Sequence, residues 1–366
     1  MAFHTYMSEN VDTAVIECGI GGEYDSTNIL VSPTVTGITS LGIDHTHILG
    51  NTIGEIAWHK GGIMKPSIPC FTVPQPPKAL EVLHQRAAEI SAPLTAVERD
   101  PVLKDIKLGL AADFQKTNAS LAIAIASSYL RSLPTAPPNA NSIPKSDLPP
   151  PPEFVRGLEQ VHWPGRCETR NENAITWHID SGHTLESIEL VANWFVSQLP
   201  PPSPPPELQP PRIILFNQQT RDANALARTL FTTLSAALGS HPFTHAVFCT
   251  NRTFEETGFR PDLLGLNVDA KVLEGLDVQR GLEETWRVLD ERAEVVVRGS
   301  IEEAVDWCRE VVGRWQQGRE GKGEKGHDIG GRVMVTGSVH LVGGVLEVLE
   351  SASPGSVVGQ KGGGAP

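Results

Sequence analysis

The sequence has few cysteines, and their arrangement excludes two common small-domain scaffolds. Five cysteines occur in 366 residues, their number is odd, and no two form a CxxC pair. Neither a disulfide framework nor a structural zinc site is therefore expected. Unpaired thiols of this kind are typical of a reducing compartment.

Long apolar runs are also missing. No stretch approaches the roughly 20 apolar residues that cross a bilayer, so we expect no membrane span. The opening residues MAFHTYMSEN have neither the basic start nor the apolar core of a signal peptide. We expect a cytoplasmic protein, and the sequence leaves a mitochondrial form open.

Basic residues are fewer than acidic residues. The chain has 30 Lys and Arg against 43 Asp and Glu, a net charge of −13. This balance argues against nucleic acid or an anionic membrane surface as the main partner, although a small anionic substrate remains compatible with it. The length and the 40% hydrophobic content are enough for two ordinary domains.

The most informative stretch runs from residue 11 to residue 65. Thr13 to Ile16 is a short apolar run, which predicts a buried strand that ends in Glu17 and a glycine turn. A second run, Thr34 to Leu41, is followed shortly by His45. Because ligands of open α/β sheets bind at the carboxyl ends of the strands, both side chains are predicted at one ligand-binding edge.

A helix is predicted directly after these strands. Thr52 and Glu55 have the spacing of a capping box, and Gly61 and Gly62 stop the helix after Lys60. Taken singly, none of these polar residues requires a catalytic or metal-binding role. Lys60 suits the negative end of a helix dipole, Glu17 suits a turn, and a histidine in a loop or cap is common.

Together the three motifs carry more weight. The order ECGIGGEYDSTN, SLGIDHTHILG and IAWHKGGIMKP resembles the central domain of the folylpolyglutamate synthases, ATP-dependent members of the Mur ligase superfamily. The resemblance implies that Glu17 and His45 help to hold Mg²⁺ with the nucleotide and that Lys60 is carbamylated. An ammonium group cannot bind a cation, whereas a lysine carbamate offers anionic oxygens of the hard type that Mg²⁺ prefers.

Residues 114–121 open an alanine-rich helix with the sequence FQKTNASL. The family has a similar element lining its active site, so the resemblance makes Gln115 and Asn118 candidate contacts to the nucleotide. Ordinary capping of the helix is the alternative explanation.

From about residue 163 the predicted strands and helices alternate. That repetition predicts a Rossmann-like domain with a doubly wound, parallel sheet. The sequence WPGRCE contains Arg166, which by resemblance reaches the nucleotide. The sequence IDSGHT resembles a motif that contacts the nucleotide and the bound amino acid, which makes Asp180 and His183 candidates for catalysis and Asp180 a nucleotide contact as well. Capping of the next helix by Asp180 is the alternative.

Two further elements extend the resemblance almost to the end of the chain. They are FNQQTRD, residues 216–222, and VTGSVHLVGG, residues 335–344. The predicted organisation is an incomplete ATPase-type domain over 1–132, a proline-rich linker or insert over 133–162, a ligase domain over 163–350 and a flexible glycine-rich tail over 351–366.

One family element is missing from these residues. The family begins with a glycine-rich phosphate loop, and no GxxxxGK[ST] pattern occurs here. The chain therefore resembles a family member without its amino-terminal phosphate-loop segment.

The resemblance implies ATP- and Mg²⁺-dependent addition of L-glutamate to the γ-carboxylate of reduced folate or a folylpolyglutamate, a step of one-carbon metabolism. A dihydrofolate synthase is the near alternative. A non-catalytic remnant that binds folate or a partner is the other, and the missing phosphate loop favours it. The partners implied are reduced folate or folylpolyglutamate and glutamate, and we expect a monomer.

Overall fold

A computed structural model describes residues 2–134, 150–200, 209–219, 221–255, 276–320 and 330–351. The chain divides into two units, Met1–Leu108 with Phe114–Gln160 and Gly109–Asp113 with Val161–Pro366. The proline-rich residues 135–149 and the tail from 352 lie outside the described residues, and what was predicted for them stays a prediction.

The first unit contains a three-stranded parallel sheet in the order β1-β2-β3. Its strands are β1 (Thr36–Ile38), β2 (Cys70–Thr72) and β3 (Leu94–Ala96). Its helices are α1 (Ala2–Ser8), α2 (Thr46–Leu49), α3 (Ile53–Gly61), α4 (Pro77–Ile90), α5 (Gln115–Ser132) and α6 (Pro152–Gln160), with 3₁₀ turns at Ser26–Ile29 and Pro101–Asp105.

Helices cover both faces of this sheet. Successive residues of a strand point to opposite faces. Cys70 accordingly lies in an apolar cluster with Leu83 of α4, and Phe71 lies in another with Leu121 of α5.

The strand predicted from Thr13 to Ile16 is wrong. These residues have no regular secondary structure, and the Val15 side chain is 95% exposed. A short strand is stable only when a neighbouring strand accepts its backbone hydrogen bonds, and none of the described strands pairs with residues 13–17. The second predicted strand, Thr34 to Leu41, forms only over the three residues of β1.

Part of the predicted linker is also helical. Helix α6 places Phe154 and Leu158 against an apolar cluster that contains Leu103 and Ala119. Residues 152–160 therefore pack as a helix of the first unit.

The second unit contains a six-stranded sheet in the order β4-β5-β9-β6-β7-β8. The first two strands pair antiparallel and the other neighbours pair parallel. The strands are β4 (Glu168–Glu172), β5 (Ile175–Ile179), β6 (Arg212–Phe216), β7 (His245–Cys249), β8 (Glu294–Arg298) and β9 (Gly331–Thr336). The helices are α7 (Leu185–Gln198), α8 (Ala223–Leu238), α9 (Asp277–Leu289), α10 (Ile301–Glu320) and α11 (Val339–Ser351).

Each face of this sheet is buried. On one face, Ile213 and Val333 belong to a core cluster with Val305 of α10 and Val345 of α11. On the other face, aromatic side chains of α7 pack against β5. The prediction of an α/β protein with a parallel second sheet is confirmed, apart from the antiparallel edge strand β4. No helix in the described ranges is both long and apolar enough to cross a membrane.

Candidate active site

In the first unit, Asp25 fixes the turn that follows Glu17. Its carboxylate accepts the backbone N–H of Gly19 at 2.9 Å, of Ile20 at 3.0 Å and of Thr27 at 2.9 Å. Burial raises the pKa of Asp25, but hydrogen bonds from the Thr27 hydroxyl and from these amides lower it, and the pKa lies below its usual value. The glycine turn is thus closed around an ionised carboxylate.

This turn docks on the carboxyl end of helix α3. The Glu23 N–H donates to the His59 carbonyl at 2.8 Å, and the Asn28 side-chain amide donates to the Gly62 carbonyl at 3.1 Å. A Cβ atom on Gly62 would clash with the backbone of Glu23. Glycine at position 62 therefore permits the close approach, which links the motif after Glu17 with the one that contains Lys60.

Lys60 lies in the last turn of α3 and is half-buried. The predicted capping box at the start of this helix is present: the Glu55 N–H donates to Thr52 Oγ1 at 3.2 Å, and the Thr52 N–H donates to Glu55 Oε2 at 2.9 Å. Within the described ranges the Lys60 amine has neither an ion-pair partner nor a hydrogen-bond acceptor. The carbamylation of Lys60 stays a prediction.

His45 has an unusual backbone conformation. It is the N-cap of α2 with φ of 51°, a left-handed conformation that a residue with a side chain adopts at some cost. Asp44 supports it, because its Oδ1 accepts the His45 N–H at 2.7 Å and its Oδ2 lies 3.6 Å from His45 Nε2. Strain of this kind is common at functional sites.

Glu17 lies in the unpaired segment and is exposed. Nowhere in the part of the chain that the structure describes do three or more His, Cys, Asp or Glu side chains form a group that could hold a metal ion. Mg²⁺ in nucleotide sites usually takes only one or two carboxylates and completes its coordination with water and phosphate oxygens. One carboxylate and one imidazole are compatible with that kind of site and not with a closed metal cage.

Gln115 and Asn118 bond to each other in the first turn of α5. The Asn118 amide donates to Gln115 Oε1 at 2.9 Å, and the N-cap residue is Phe114, which makes no side-chain capping bond. The capping explanation is therefore wrong for both residues. Their role as nucleotide contacts stays a prediction.

In the second unit, the WPGR and DSGH sequences lie against each other. Arg166 donates from its guanidinium to the Ser181 hydroxyl, and the Ser181 N–H donates to the Gly165 carbonyl at 3.1 Å. Gly165 has φ of 72°, and a Cβ atom there would clash with Val342. The loop that precedes β4 is thus fixed at the carboxyl end of β5.

Asp180 is the residue that joins these two loops. Its Oδ2 accepts the Cys167 N–H at 2.8 Å and the Cys167 thiol at 3.3 Å, and its Oδ1 accepts the Gly182 N–H at 2.9 Å. Burial raises the pKa of Asp180 above its usual value despite these bonds. The N-cap of α7 is Thr184, so the alternative that Asp180 caps this helix is wrong.

His183 follows in the same loop. Its ring atom Nδ1 lies 2.8 Å from the Ser181 carbonyl oxygen, and its backbone N–H donates to Ser187 Oγ at 2.9 Å. Because a carbonyl can only accept, Nδ1 carries the proton in the neutral ring and Nε2 is the acceptor. His183 is therefore held in one orientation at the carboxyl end of the sheet.

Glu168 was not predicted as a site residue. Its Oε2 accepts the Gly165 N–H at 2.7 Å, and its Oε1 pairs with Arg170 Nε at 2.5 Å. Burial raises the pKa of Glu168, whereas the bonds from Gly165 and Arg170 lower it below its usual value. Glu168 thus holds the backbone on one side of Arg166 while Asp180 holds it on the other. Its place two residues after Arg166 was the available sequence signal.

Buried amides follow β6 and β7 at the same edge. Asn217 Nδ2 donates to Asn251 Oδ1 at 2.6 Å, and Gln279 Nε2 donates to Asn217 Oδ1 at 3.1 Å. Gln218 Nε2 donates to the Gly337 carbonyl at 2.8 Å. The FNQQ sequence pointed to this network, but Gln279 had no sequence signal.

Comparison with known proteins connects the chain to one group of enzymes. No family model matches the chain. The chain is 41% identical over 355 residues to the folylpolyglutamate synthase of Neurospora crassa and 39% identical over 352 residues to that of Saccharomyces cerevisiae. Each match covers 96% of this chain but 63% and 60% of those relatives.

Solved structures show the same fold. A Mycobacterium tuberculosis folylpolyglutamate synthase complexed with ADP has a TM-score of 0.65 at 22% identity, over 96% of this chain and 71% of that one. A complex of a folylpolyglutamate synthase with AMPPCP and folate has a TM-score of 0.57 at 22% identity, over 95% and 68%. The predicted two-domain Mur-ligase fold is confirmed. The chain spans about 60% of the length of the curated relatives that it matches, and over nearly all of its own length it is homologous to the folylpolyglutamate synthases.

Proposed function

We propose that the protein acts in the ATP-dependent ligation of L-glutamate to the γ-carboxylate of tetrahydrofolate or a folylpolyglutamate. The observation that carries the proposal is the 41% identity over 355 residues to a relative with this name. The fold it shares with proteins solved with ADP, and with AMPPCP and folate, supports it.

The reaction has two steps. An oxygen of the folate γ-carboxylate attacks the γ-phosphorus of ATP, and the bond to the β-phosphate oxygen breaks to release ADP. The glutamate amine then attacks the acyl carbon of the resulting acyl phosphate, phosphate leaves, and the amine loses a proton. Catalysis of such phosphoryl transfer depends on positioning and on stabilisation of negative charge.

In the first unit, we assign Glu17 and His45 to Mg²⁺ and Lys60 to the same site as a carbamate. Bound Mg²⁺ would neutralise charge on the phosphates. The docking of the glycine turn on the end of α3 supports a shared role for these motifs. Gln115 and Asn118 are proposed contacts to the nucleotide.

In the second unit, we assign Arg166 to the nucleotide and His183 to the amino-acid substrate. Asp180 receives a different role from the one predicted. Because it is only 4% exposed and both of its oxygens already accept hydrogen bonds from the protein, it acts as a positioning residue for Arg166 and His183.

A second candidate is a binding module without turnover. Two observations favour it: the segment that carries Glu17 pairs with none of the described strands, and the sequence contains no GxxxxGK[ST] pattern. A remnant of this kind would bind folate or nucleotide and form no product.

Product analysis separates the two candidates. Purified chain is incubated with MgATP, tetrahydrofolate and labelled glutamate, and the folate products are separated by mass. Ligation predicts one added glutamyl group per ADP, dependent on all three substrates and lost in Lys60→Ala. Binding of folate or nucleotide without product, at equal affinity in Lys60→Ala, would support the binding module and contradict the ligase.

A further inference from the structure

Two arginines stand side by side at the start of neighbouring strands in the second unit. Arg212 begins β6, and it is the direct register partner of Arg332 in β9. The strands run parallel, so the two side chains leave the sheet on the same face, with the strands about 4.8 Å apart. Like charges placed directly opposite each other destabilise a sheet unless something compensates them.

The position of the pair is set by the strand alternation. Ile213 and Val333 point into the core beneath α10 and α11, so Arg212 and Arg332 point to the other face, the one covered by α7. They lie at the amino ends of their strands. This is the edge opposite to the one that carries Asp180 and His183.

No acid of the described ranges compensates these charges. Both arginines are half-buried, and within the described ranges neither guanidinium has a carboxylate partner. Among the described residues, the one hydrogen bond made by either side chain runs from Arg212 Nη2 to the His241 carbonyl at 3.4 Å. Burial lowers the pKa of both groups from the usual arginine value, with no carboxylate to offset it.

The register neighbour of Arg332 on its other side is also not an acid. Thr176 of β5 is the register partner of Arg332 and adds a hydroxyl to the same row. Glu294 lies at the same edge of the sheet but points to the opposite face. It is in register with His245, which is in register with Ile213, and Ile213 points into the core beneath α10 and α11. It lies 3.6 Å from His245 Nε2.

We propose that Arg212, Arg332 and Thr176 form a binding site for a small oxyanion, a phosphate or a carboxylate. Two guanidinium groups offer several N–H donors with the fork geometry that suits such anions. A bound oxyanion would replace repulsion between the two arginines with attraction to both. The site is separate from the ligase residues, so it does not depend on the proposed function.

Calorimetric titration of the full chain with inorganic phosphate, and separately with acetate, tests the site at fixed pH and ionic strength. We expect saturable binding of at least one anion, weakened roughly tenfold or more, about 1.4 kcal/mol, by Arg332→Gln and by Arg212→Gln. Arg228→Gln, which changes an exposed arginine of α8, is the matched control and should bind like the wild type. The anion that binds more tightly shows whether the site prefers a phosphate or a carboxylate group.

Thermal unfolding gives a second measurement that needs no binding isotherm. Phosphate stabilises many proteins without a site, so the comparison is between variants. Moving from chloride to phosphate should raise the Tm of the wild type and of Arg228→Gln more than that of Arg332→Gln. Equal shifts in all three proteins, or binding that survives in Arg332→Gln, would overturn the proposal and leave the arginines as solvated ends of their strands.

Discussion

The two units differ in the number, length and burial of the strands in their sheets. In the first unit every strand has three residues, and several apolar side chains before or near the sheet are exposed, among them Val15, Tyr24, Ile29 and Val31. In the second unit six strands pair continuously, and both faces are buried. The unit with the most distinctive sequence motifs thus has the less complete framework.

The difference indicates that a distinctive sequence motif and a large, continuously paired sheet are separate properties. The motifs of the first unit are held by backbone contacts between a turn and a helix end, which need glycine and a few hydrogen bonds. The second unit holds its loops at the edge of a large packed sheet. We therefore expect the two units to respond to substitutions independently.

The largest effect is expected from truncation of the second core. Phe195 is fully buried and stacks on Phe243, so Phe195→Ala should cost roughly 3–5 kcal/mol. Hydrogen exchange should accelerate in β5 and β9 and remain unchanged in β2. Leu83→Ala, in the core of the first unit, is the reciprocal variant: exchange should accelerate in β2 and remain unchanged in β5 and β9. Equal acceleration in both units from either change would show that they unfold as one.

A pH effect of similar size should also be confined to the second unit. His178 is buried against Trp194 and Phe195. Among the residues that the structure describes, neither ring nitrogen has a hydrogen-bond partner. Burial, with a smaller contribution from Arg332, lowers its pKa to about 4. The neutral ring is favoured in the folded state, so stability is full above pH 6.5 and falls as the pH drops towards 4.

The expected loss is about 3 kcal/mol between those pH values, from the pKa difference. His178→Phe should remove most of this pH dependence, as measured by urea unfolding of the second unit at a series of pH values. An unchanged pH profile in His178→Phe would show that other groups cause it.

A smaller effect is expected at Glu168. Glu168→Ala leaves the buried Gly165 N–H without its acceptor, which should cost roughly 1–3 kcal/mol. Glu168→Gln keeps an oxygen acceptor and should lose less. Hydrogen exchange at the Gly165 amide measures the bond directly. We expect fast exchange in Glu168→Ala and slow exchange in the wild type and in Glu168→Gln. Equal protection of this amide in the wild type and both variants would contradict the assigned role.

The smallest change in folding free energy is expected at the exposed apolar residues of the first unit. Val15→Ser and Val31→Ser should alter stability by less than about 0.5 kcal/mol, because neither side chain is packed. They should nevertheless reduce self-association measured by light scattering, since exposed apolar surface promotes it. Val339→Ser, in the second unit, is the matched control, and its effect should be smaller because Val339 is 54% exposed against 95% for Val15 and 84% for Val31.

The sequence was a reliable guide where local chemistry decides the structure. The capping box at Thr52 and Glu55 and the alternation of strands and helices after residue 163 depend on side chains close in sequence. The strand at Thr13 to Ile16 was not predictable in this way, because pairing decides whether an apolar run becomes a strand. The pairing of Glu168 with the Gly165 amide and the contact from Gln279 to Asn217 were also hidden, since both depend on how distant loops meet.

The central claim is that Lys60 and His183 both act in the proposed ligation, and turnover in a double-variant cycle tests it most directly. Lys60→Ala in the first unit and His183→Ala in the second should each reduce glutamate-dependent ADP formation strongly, to a low but measurable rate, without lowering the Tm. The double variant should be no worse than either single variant, because residues that act in one reaction have strongly non-additive effects. Normal turnover in either single variant would contradict the claim.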